Sequence, residues 1–361
     1  MWNLDELRWK QFHIGDIFSV ERPSARSKDS YEEGNVPFVA SGAINNGVLK
    51  CCKPKDNEKL DEPCITVSPV DGSTFYQAYN FLGRGGAGSS VLLLRSDYNE
   101  LLSGQFVSRL ISQTCSKYTY GHMGNKESIK REIIQLPTTD DNKPDYQYMA
   151  NYTNQKCIAL LGKYREYANK CIAKLGEFRK IPEISQKKWG AFLISDIFDI
   201  LPGKRLVAAD TTPGSRPFIG ALDNSNGVAR FVNDTNASLD KNVLGVNYNG
   251  NGMVIGFYHP YECIFSDDVK RFHLKYHDDN AFVLLFMKVA ILQQKSKFGY
   301  LYKFNAERMA NTRIMLPIND DGAPDYEYME QYAKNLMLRK YQQYLAYLDS
   351  KEKTAPAAAN D

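Results

Sequence analysis

The sequence predicts an α+β protein made of two tandem globules, each followed by a long helix. Three observations carry that prediction. The segment "LPTTDDNKPDYQYM" at 136–149 returns as "LPINDDGAPDYEYM" at 316–329, with nine of fourteen positions identical at an offset of 180 residues. The same offset lays "WKQFHIGDIF" (9–18) on "WGAFLISDIF" (189–198) and "PFVASGAINNGV" (37–48) on "PFIGALDNSNGV" (217–228). Within each copy, short β-rich runs broken by Gly, Asn, Asp and Pro give way to a polar stretch whose apolar residues recur three or four apart. Matches at the start, middle and end mark a duplicated domain rather than a solenoid, whose repeats are far shorter.

Residues 9–137 and 189–317 form the two globules, each of a normal domain size. "CITVSPV" and "SSVLLLR" in the first copy read as strands, as do "VLGVNY" and "GMVIGFY" in the second; "SGQFVSRLISQ" and "NAFVLLFMKVAILQQ" read as helices. After the turn "NKPD", Asp145 is placed to cap a helix from Tyr146 to the stop at Gly176. After "GAPD", Asp325 is placed to cap another from Tyr326 to about Lys351. Met149, Leu161, Tyr164 and Leu175 lie on the apolar stripe of the first helix. Met329, Met337, Tyr341, Tyr344 and Leu348 lie on that of the second. Such stripes are narrow, like a coiled-coil seam. Polar helices of roughly 40–45 Å need a partner, and the other copy supplies one. The expected arrangement is an antiparallel coiled coil with pseudo-two-fold symmetry; the alternative is a helical arm that closes its own domain. The chain then divides at 1–140, 141–180, 181–320 and 321–353, with a disordered tail at 354–361.

Composition narrows the function classes. The net charge is +3, with 24 Lys and Arg against 21 Asp and Glu in residues 1–180 and 21 against 21 in the rest. Neither half is a polycation, so any nucleic-acid contact must come from local patches. The seven Cys include no CxxC pair, which fits reduced thiols and a cytoplasmic protein. No apolar run approaches twenty residues, which speaks against a membrane role.

Two similar heads on a rigid strut suit two features at a fixed distance, such as a split site on duplex DNA with roughly a dozen base pairs between the half-site centres. The doubled order of "W…F.I.DIF", "NNGV" or "SNGV", and "LP…PDY.YM", together with "GKR" at 203–205, resembles the specificity (S) subunit of Type I restriction-modification systems. The corresponding subunit of bipartite-site Type IIB systems is equally similar. The resemblance spans almost the whole chain. It implies that each globule is a target recognition domain for one half-site of double-stranded DNA. The helices then set the spacing and dock adenine methyltransferase (M) subunits, with a restriction (R) subunit or a fused nuclease-methyltransferase as further partner. It also implies a non-catalytic chain, with S-adenosylmethionine bound by the partner. A two-headed adaptor for proteins or glycans is the alternative.

The residues agree with a non-catalytic reading. No Asn/Asp-Pro-Pro-aromatic tetrapeptide and no P-loop occurs. "GRGGAGSS" (83–90) precedes a strand-like run instead of opening a helix; it reads as a close approach to a phosphate backbone or as a plain turn. The pairs Asp140–Asp141 and Asp320–Asp321 sit before helices, where carboxylates favour the N-terminus over metal binding. His273 and His277 have a zinc-like spacing near His259 and Cys263 but lack a second half-site.

Candidate DNA contacts fall in loops that differ between the copies. They are Arg26, Lys28, Ser73, Tyr76, Arg84, Ser89, Tyr118, Tyr120 and Lys126 in the first copy. In the second they are Lys204, Arg205, Asn247, Asn249, Lys297, Tyr300 and Lys303. Arg and Asn suit guanine and adenine edges. The Lys-Tyr mixtures at 117–126 and 295–303 suit backbone contact and groove insertion, or else a solvated strand edge. Asn251, in the Asn-Gly step, reads as hairpin chemistry.

Overall fold

A computed structural model describes residues 7–86, 90–97, 100–250 and 252–354. The chain divides into two compact units, Met1–Tyr164 and Arg165–Asp361. In the first, the elements are β1 (Trp9–His13), α1 (Ile14–Ile17), β2 (Ser19–Glu21), β3 (Glu33–Val39), β4 (Val48–Cys52), β5 (Cys64–Val67), β6 (Thr74–Gln77), β7 (Leu82–Gly83), β8 (Leu92–Arg95), α2 (Leu101–Cys115), α3 (Lys126–Arg131), β9 (Ile133–Pro137) and α4 (Tyr146–Leu175). Strand β1 pairs with β9, so the two ends of the globule close on each other. A four-stranded sheet runs β2-β8-β5-β6 and a three-stranded one β4-β3-β7, in which only β3 and β7 are parallel.

The second copy repeats this plan: β10 (Trp189–Leu193), α5 (Ile194–Ile197), β11 (Phe198–Pro202), β12 (Pro213–Ile219), β13 (Val228–Val232), β14 (Val243–Asn247), β15 (Gly256–His259), β16 (Ile264–Phe265), β17 (Val269–Leu274), α6 (Ala281–Leu292), α7 (Ala306–Asn311), β18 (Arg313–Pro317) and α8 (Tyr326–Thr354). The sheets are β10-β18, β11-β17-β14-β15 and β13-β12-β16, again with one parallel pair, β12–β16. The strands and helices read from the sequence are present, except that the first half of "GMVIGFY" is a turn and its strand begins at Gly256.

Local chemistry explains the elements. Strand β14 is buried along its whole length, which β-branched and small residues tolerate. Helix α6 starts at Asn280, whose side chain accepts from the N–H groups of Phe282 and Val283. It buries Val283, Leu284, Met287 and Ile291 against Phe198, Leu244 and Phe272. The "NNGV" and "SNGV" turns carry three left-handed residues in a row, Asn45, Asn46 and Gly47 (φ 51°, 54° and 73°), matched by Ser225, Asn226 and Gly227 (49°, 53° and 74°). Asn and Gly adopt that region most readily, which is why the turn survives in both copies.

The long helices start as the caps require. The Asp145 carboxylate accepts from the Tyr148 N–H at 2.8 Å, and Asp325 from the Tyr328 N–H at 3.0 Å. Gly176, at φ 76°, ends α4. Within the second unit, residues 165–175 run antiparallel to α8. Arg165 pairs with Asp349 at 2.6 Å, and the ring of Tyr167 lies 6.4 Å from that of Tyr341. Beyond the helix end, Asn335 accepts from the Arg179 N–H and the Tyr328 hydroxyl donates to the Pro182 carbonyl. One residue number rises as the other falls. Ala168, Ala333, Leu338 and Leu348 are buried. Loss of water and hydrogen bonds with Cys171 and Tyr167 push the Tyr341 phenol well above its usual range.

The stripe needs correcting at several positions. Met149 and Met329 are fully buried in the cores of their own globules, not in a seam between helices. The first turn of each helix therefore closes its own domain. Leu338 takes the buried place expected of Met337, which is half-buried, and Tyr344 lies on the exposed side stacked against Tyr347. Leu161, Tyr164 and Leu175 are half-buried. Of the tail 354–361, Thr354 closes α8 and the rest lies outside the described residues.

Candidate nucleic-acid interface

In the second globule, backbone and side-chain hydrogen bonds gather four loops along one edge. The Lys204 N–H donates to the Phe265 carbonyl at 2.8 Å, which sets the loop after β11 against the loop after β16. Gly203 is required there, since an added Cβ would sit 1.9 Å from the Ser266 carbonyl oxygen. Next, the Tyr248 N–H donates to the Asp268 carbonyl and the Asn249 amide to the Asp268 carboxylate. Asn247 then ties the β14–β15 turn to the β12–β13 loop by donating to the Leu222 carbonyl at 2.7 Å. At the far end the Phe304 N–H lies 3.3 Å from the Met253 sulfur, beside the 299–302 turn. The first globule has matching joints. Gly85 donates to Ser24, Arg84 to Val39, the Ser41 hydroxyl to Ser90, and Gly124 to Pro69.

Several candidate side chains face solvent on these loops. Lys28, Lys204, Arg205, Lys297, Tyr120 and Tyr300 are exposed. Arg205 makes only a loose 3.9 Å approach to Asp267, and Lys297 caps Gln294 at 2.6 Å. Lys303 lies 5.5 Å over the Tyr300 ring. Lys126 and Arg84 are half-buried, as is Ser73, whose N–H donates to Asp71. Ser89 and Asn251 lie outside the described residues.

Other candidates leave the set because folding has consumed them. Arg26 is 8% exposed, with its guanidinium 2.8 Å from Glu58, Asp61, the Gly83 carbonyl and the Lys59 carbonyl. Asn247 is 2% exposed and spends its amide on Leu222 and Gly252. Asn249 gives its amide to Asp268. The Tyr118 ring is buried and its hydroxyl donates to Glu132. The Tyr76 ring packs over Gly104, where an added Cβ would meet it at 2.3 Å, and joins the core.

Sequence reading missed three residues on this edge. Arg308 lies 3.8 Å over the Tyr302 ring, Lys270 lies 4.8 Å over Tyr248, and Leu301 is 97% exposed. The Lys-Tyr run at 295–303 contains Leu301 without singling it out, and the placement of the first two depends on tertiary packing.

The remaining titratable clusters have structural partners. His273 sits between Asp279 at 2.6 Å and Asp240 at 3.0 Å, and these carboxylates raise its pKa to about 9. His277 instead stacks on Tyr326 at 4.6 Å. Burial pushes His259 down to about 4 against Phe265, and burial pushes Cys263 up to about 12. The spacing that suggested zinc therefore serves separate contacts. Asp140 and Asp141 approach Arg8 and Lys143 in the turn before α4. Among the described residues, no group of three or more His, Cys, Asp or Glu is arranged to hold a metal ion. Nor is any described helix long and apolar enough to cross a membrane.

The Type I restriction modification DNA specificity domain family matches the chain twice, over residues 6–166 and 186–344. The Type II restriction enzyme BgcI specificity subunit S.BcgI of Heyndrickxia coagulans is 38% identical over 331 residues, covering 90% of this chain and 94% of that one. Among solved structures, the Type I restriction-modification S subunit of M. genitalium matches with 15% identity and a TM-score of 0.49, over 97% of this chain and 94% of that one. The HsdS subunit of Thermoanaerobacter tengcongensis matches with 12% identity and a TM-score of 0.32, over 97% and 92%.

Proposed function

We propose, from the premise that this chain belongs to the Type I restriction modification DNA specificity domain family, that its two loop edges read the two halves of a bipartite DNA site. The chain is the non-catalytic DNA-specificity subunit of a restriction-modification complex. The globule bounds 1–140 and 181–320 define the two readers. The helices set the spacing between half-sites and dock adenine methyltransferase subunits in the cytoplasm. S-adenosylmethionine belongs to that partner. A restriction subunit, or a nuclease fused to the methyltransferase, completes the assembly.

One observation carries this reading: the frame repeats while the edge does not. Sheets, joints and caps correspond strand for strand between copies. On the edge, "SPVDGSTFYQ" in the first copy faces "NYNGNGMVIGF" in the second, and "RPSARSKDSYEEG" faces "GKRLVAADTTPGS". A shared scaffold with dissimilar loops suits two different half-sites. Exposed Lys and Arg supply phosphate contacts, and each one lost should lower the salt slope of binding by about one.

Methylation mapping in cells that express the chain with its methyltransferase tests this. Replacing residues 9–137 by the recognition globule of another such subunit should change one half-site and leave the other unchanged. Methylation that shows no sequence selectivity, or a chimera that changes both halves, would overturn the assignment.

A further inference from the structure

We propose that the tight turn Gly299–Tyr302 is a preformed wedge that enters between base pairs and unstacks one step of the half-site bound by the second globule. The inference rests on the DNA reading above and adds deformation of the duplex to it. Two backbone bonds close the turn, from the Gly299 N–H to the Tyr302 carbonyl at 3.2 Å and from the Tyr302 N–H to the Gly299 carbonyl at 3.0 Å. Its two central residues are Tyr300 and Leu301, 82% and 97% exposed. Two adjacent apolar side chains at one tip offer a compact contact point.

The base of the turn is stiff. The rings of Phe298 and Tyr302 stack at 5.7 Å and 6°, Phe298 packs on buried Phe304 at 4.5 Å, and the Arg308 guanidinium closes the stack from 3.8 Å. The backbone of the turn is therefore held before it meets a ligand, so insertion costs little loop-ordering entropy. Its surroundings carry net positive charge: Lys297 and Lys303 lie next to it in the chain, Arg308 packs on its base with Glu307 alongside, and Lys303 lies over Tyr300. An apolar point on a basic collar is the arrangement used by side chains that intercalate from a groove. A protein partner would want a broader apolar face.

The first globule carries the same turn in weaker form. Thr119 and His122 exchange the same pair of bonds, at 3.2 and 2.9 Å, around Tyr120 (84% exposed) and Gly121. Its base is held by the Tyr118–His122 stack and by the Lys117–Glu132 pair at 2.7 Å. With glycine where the second copy has Leu301, this tip can stack one ring but has no second apolar residue to drive in. The larger distortion belongs to the half-site of the second globule.

The test uses the full chain in complex with its methyltransferase, without cofactor, on a duplex carrying the mapped site. 2-Aminopurine is placed in turn at each position away from the methylated adenine. The wild type should raise fluorescence severalfold at one step in the second half-site. The variant Tyr300→Ala/Leu301→Ala should lose that rise, bind about tenfold more weakly and keep its salt slope and melting temperature. Sequence-selective binding with no enhanced step, or a variant that keeps the enhancement, overturns the wedge while the DNA reading stands. Loss of co-purification with the methyltransferase in the variant, with DNA binding kept, makes the tip a protein contact and overturns it as well. Failure of the wild-type complex to select any sequence overturns the reading beneath it.

Discussion

Each globule holds a carboxylate at the same point of its fold, and the two neutralise it differently. Asp61 bridges to Phe81 beside β7, and Asp240 bridges to Cys263 beside β16. Asp61 is paired with Arg26 at 2.8 Å and approached by Arg95 at 3.7 Å. Asp240 is paired with Arg271 at 2.7 Å and with His273 at 3.0 Å, and His273 is shared with Asp279. The requirement is common to both: a loop carboxylate that fastens the small sheet to the large one needs cationic partners. The supplier is local to each copy. The first draws an arginine out of its variable loop, which removes Arg26 from the residues able to touch DNA. The second takes both cations from β17 and leaves Lys204 and Arg205 free of that duty. The difference decides which charges remain for recognition and which globule senses pH.

Removing Arg26 should have the largest effect. Arg26→Ala leaves Glu58 with the Tyr31 hydroxyl and Asp61 with the distant Arg95 in a partly buried site, at a cost on the order of 3 kcal/mol. Calorimetry should show the first globule melting early while the second is unchanged. A variant that melts normally and loses only DNA affinity would reverse the comparison.

A pH series should sharpen it. The folded-state pKa of His273, raised to about 9, lies above its unfolded value of about 6.5. Its contribution is therefore full below pH 6.5 and is lost as pH rises through 9. The second globule should lose on the order of 2 kcal/mol over that window, after allowance for partial solvent access. His273→Gln should flatten the profile, whereas the first globule, whose Asp61 is paired by arginines, should show no comparable loss.

The smallest contrast lies at the helix caps. Asp145→Ala removes one cap bond and should cost about 1 kcal/mol. Asp325 also holds Lys187 at 2.7 Å, with both side chains largely buried, so Asp325→Ala should cost more. Urea midpoints of the two variants give the ranking directly. Equal midpoints would mean that the Lys187 pair adds nothing.

The legible parts of the sequence were those in which backbone geometry dictates residue type. The Asp-Tyr steps at 145–146 and 325–326 announce a cap, and "NGV" announces a left-handed turn closing on a strand. Arg26 was misleading because a lone arginine among serines looks the same whether it faces a phosphate or a buried carboxylate. The answer comes from Glu58 and Asp61, which tertiary structure brings to it. Asn247 failed likewise, since Leu222 and Gly252 supply its partners. Met149 and Met329 fit a helical stripe, yet periodicity cannot say which neighbour the stripe faces; the first turn faces a β-rich core and later turns face another helix. Leu301 escaped notice because an exposed leucine at a turn breaks the expected pattern of polar tips.

The joint at 317–325 also acts as a hinge pin for a lever. The Ile318–Pro324 bridge, Gly322 at φ 78° and the Asp325 cap fix the direction in which α8 departs. Over 29 residues that helix is about 43 Å long, so a swing of about five degrees at the pin displaces its far end by roughly 4 Å. That is about one base-pair rise of duplex DNA. Angular play in a nine-residue turn is thus magnified by the arm to a displacement of that size at the far end of the helix.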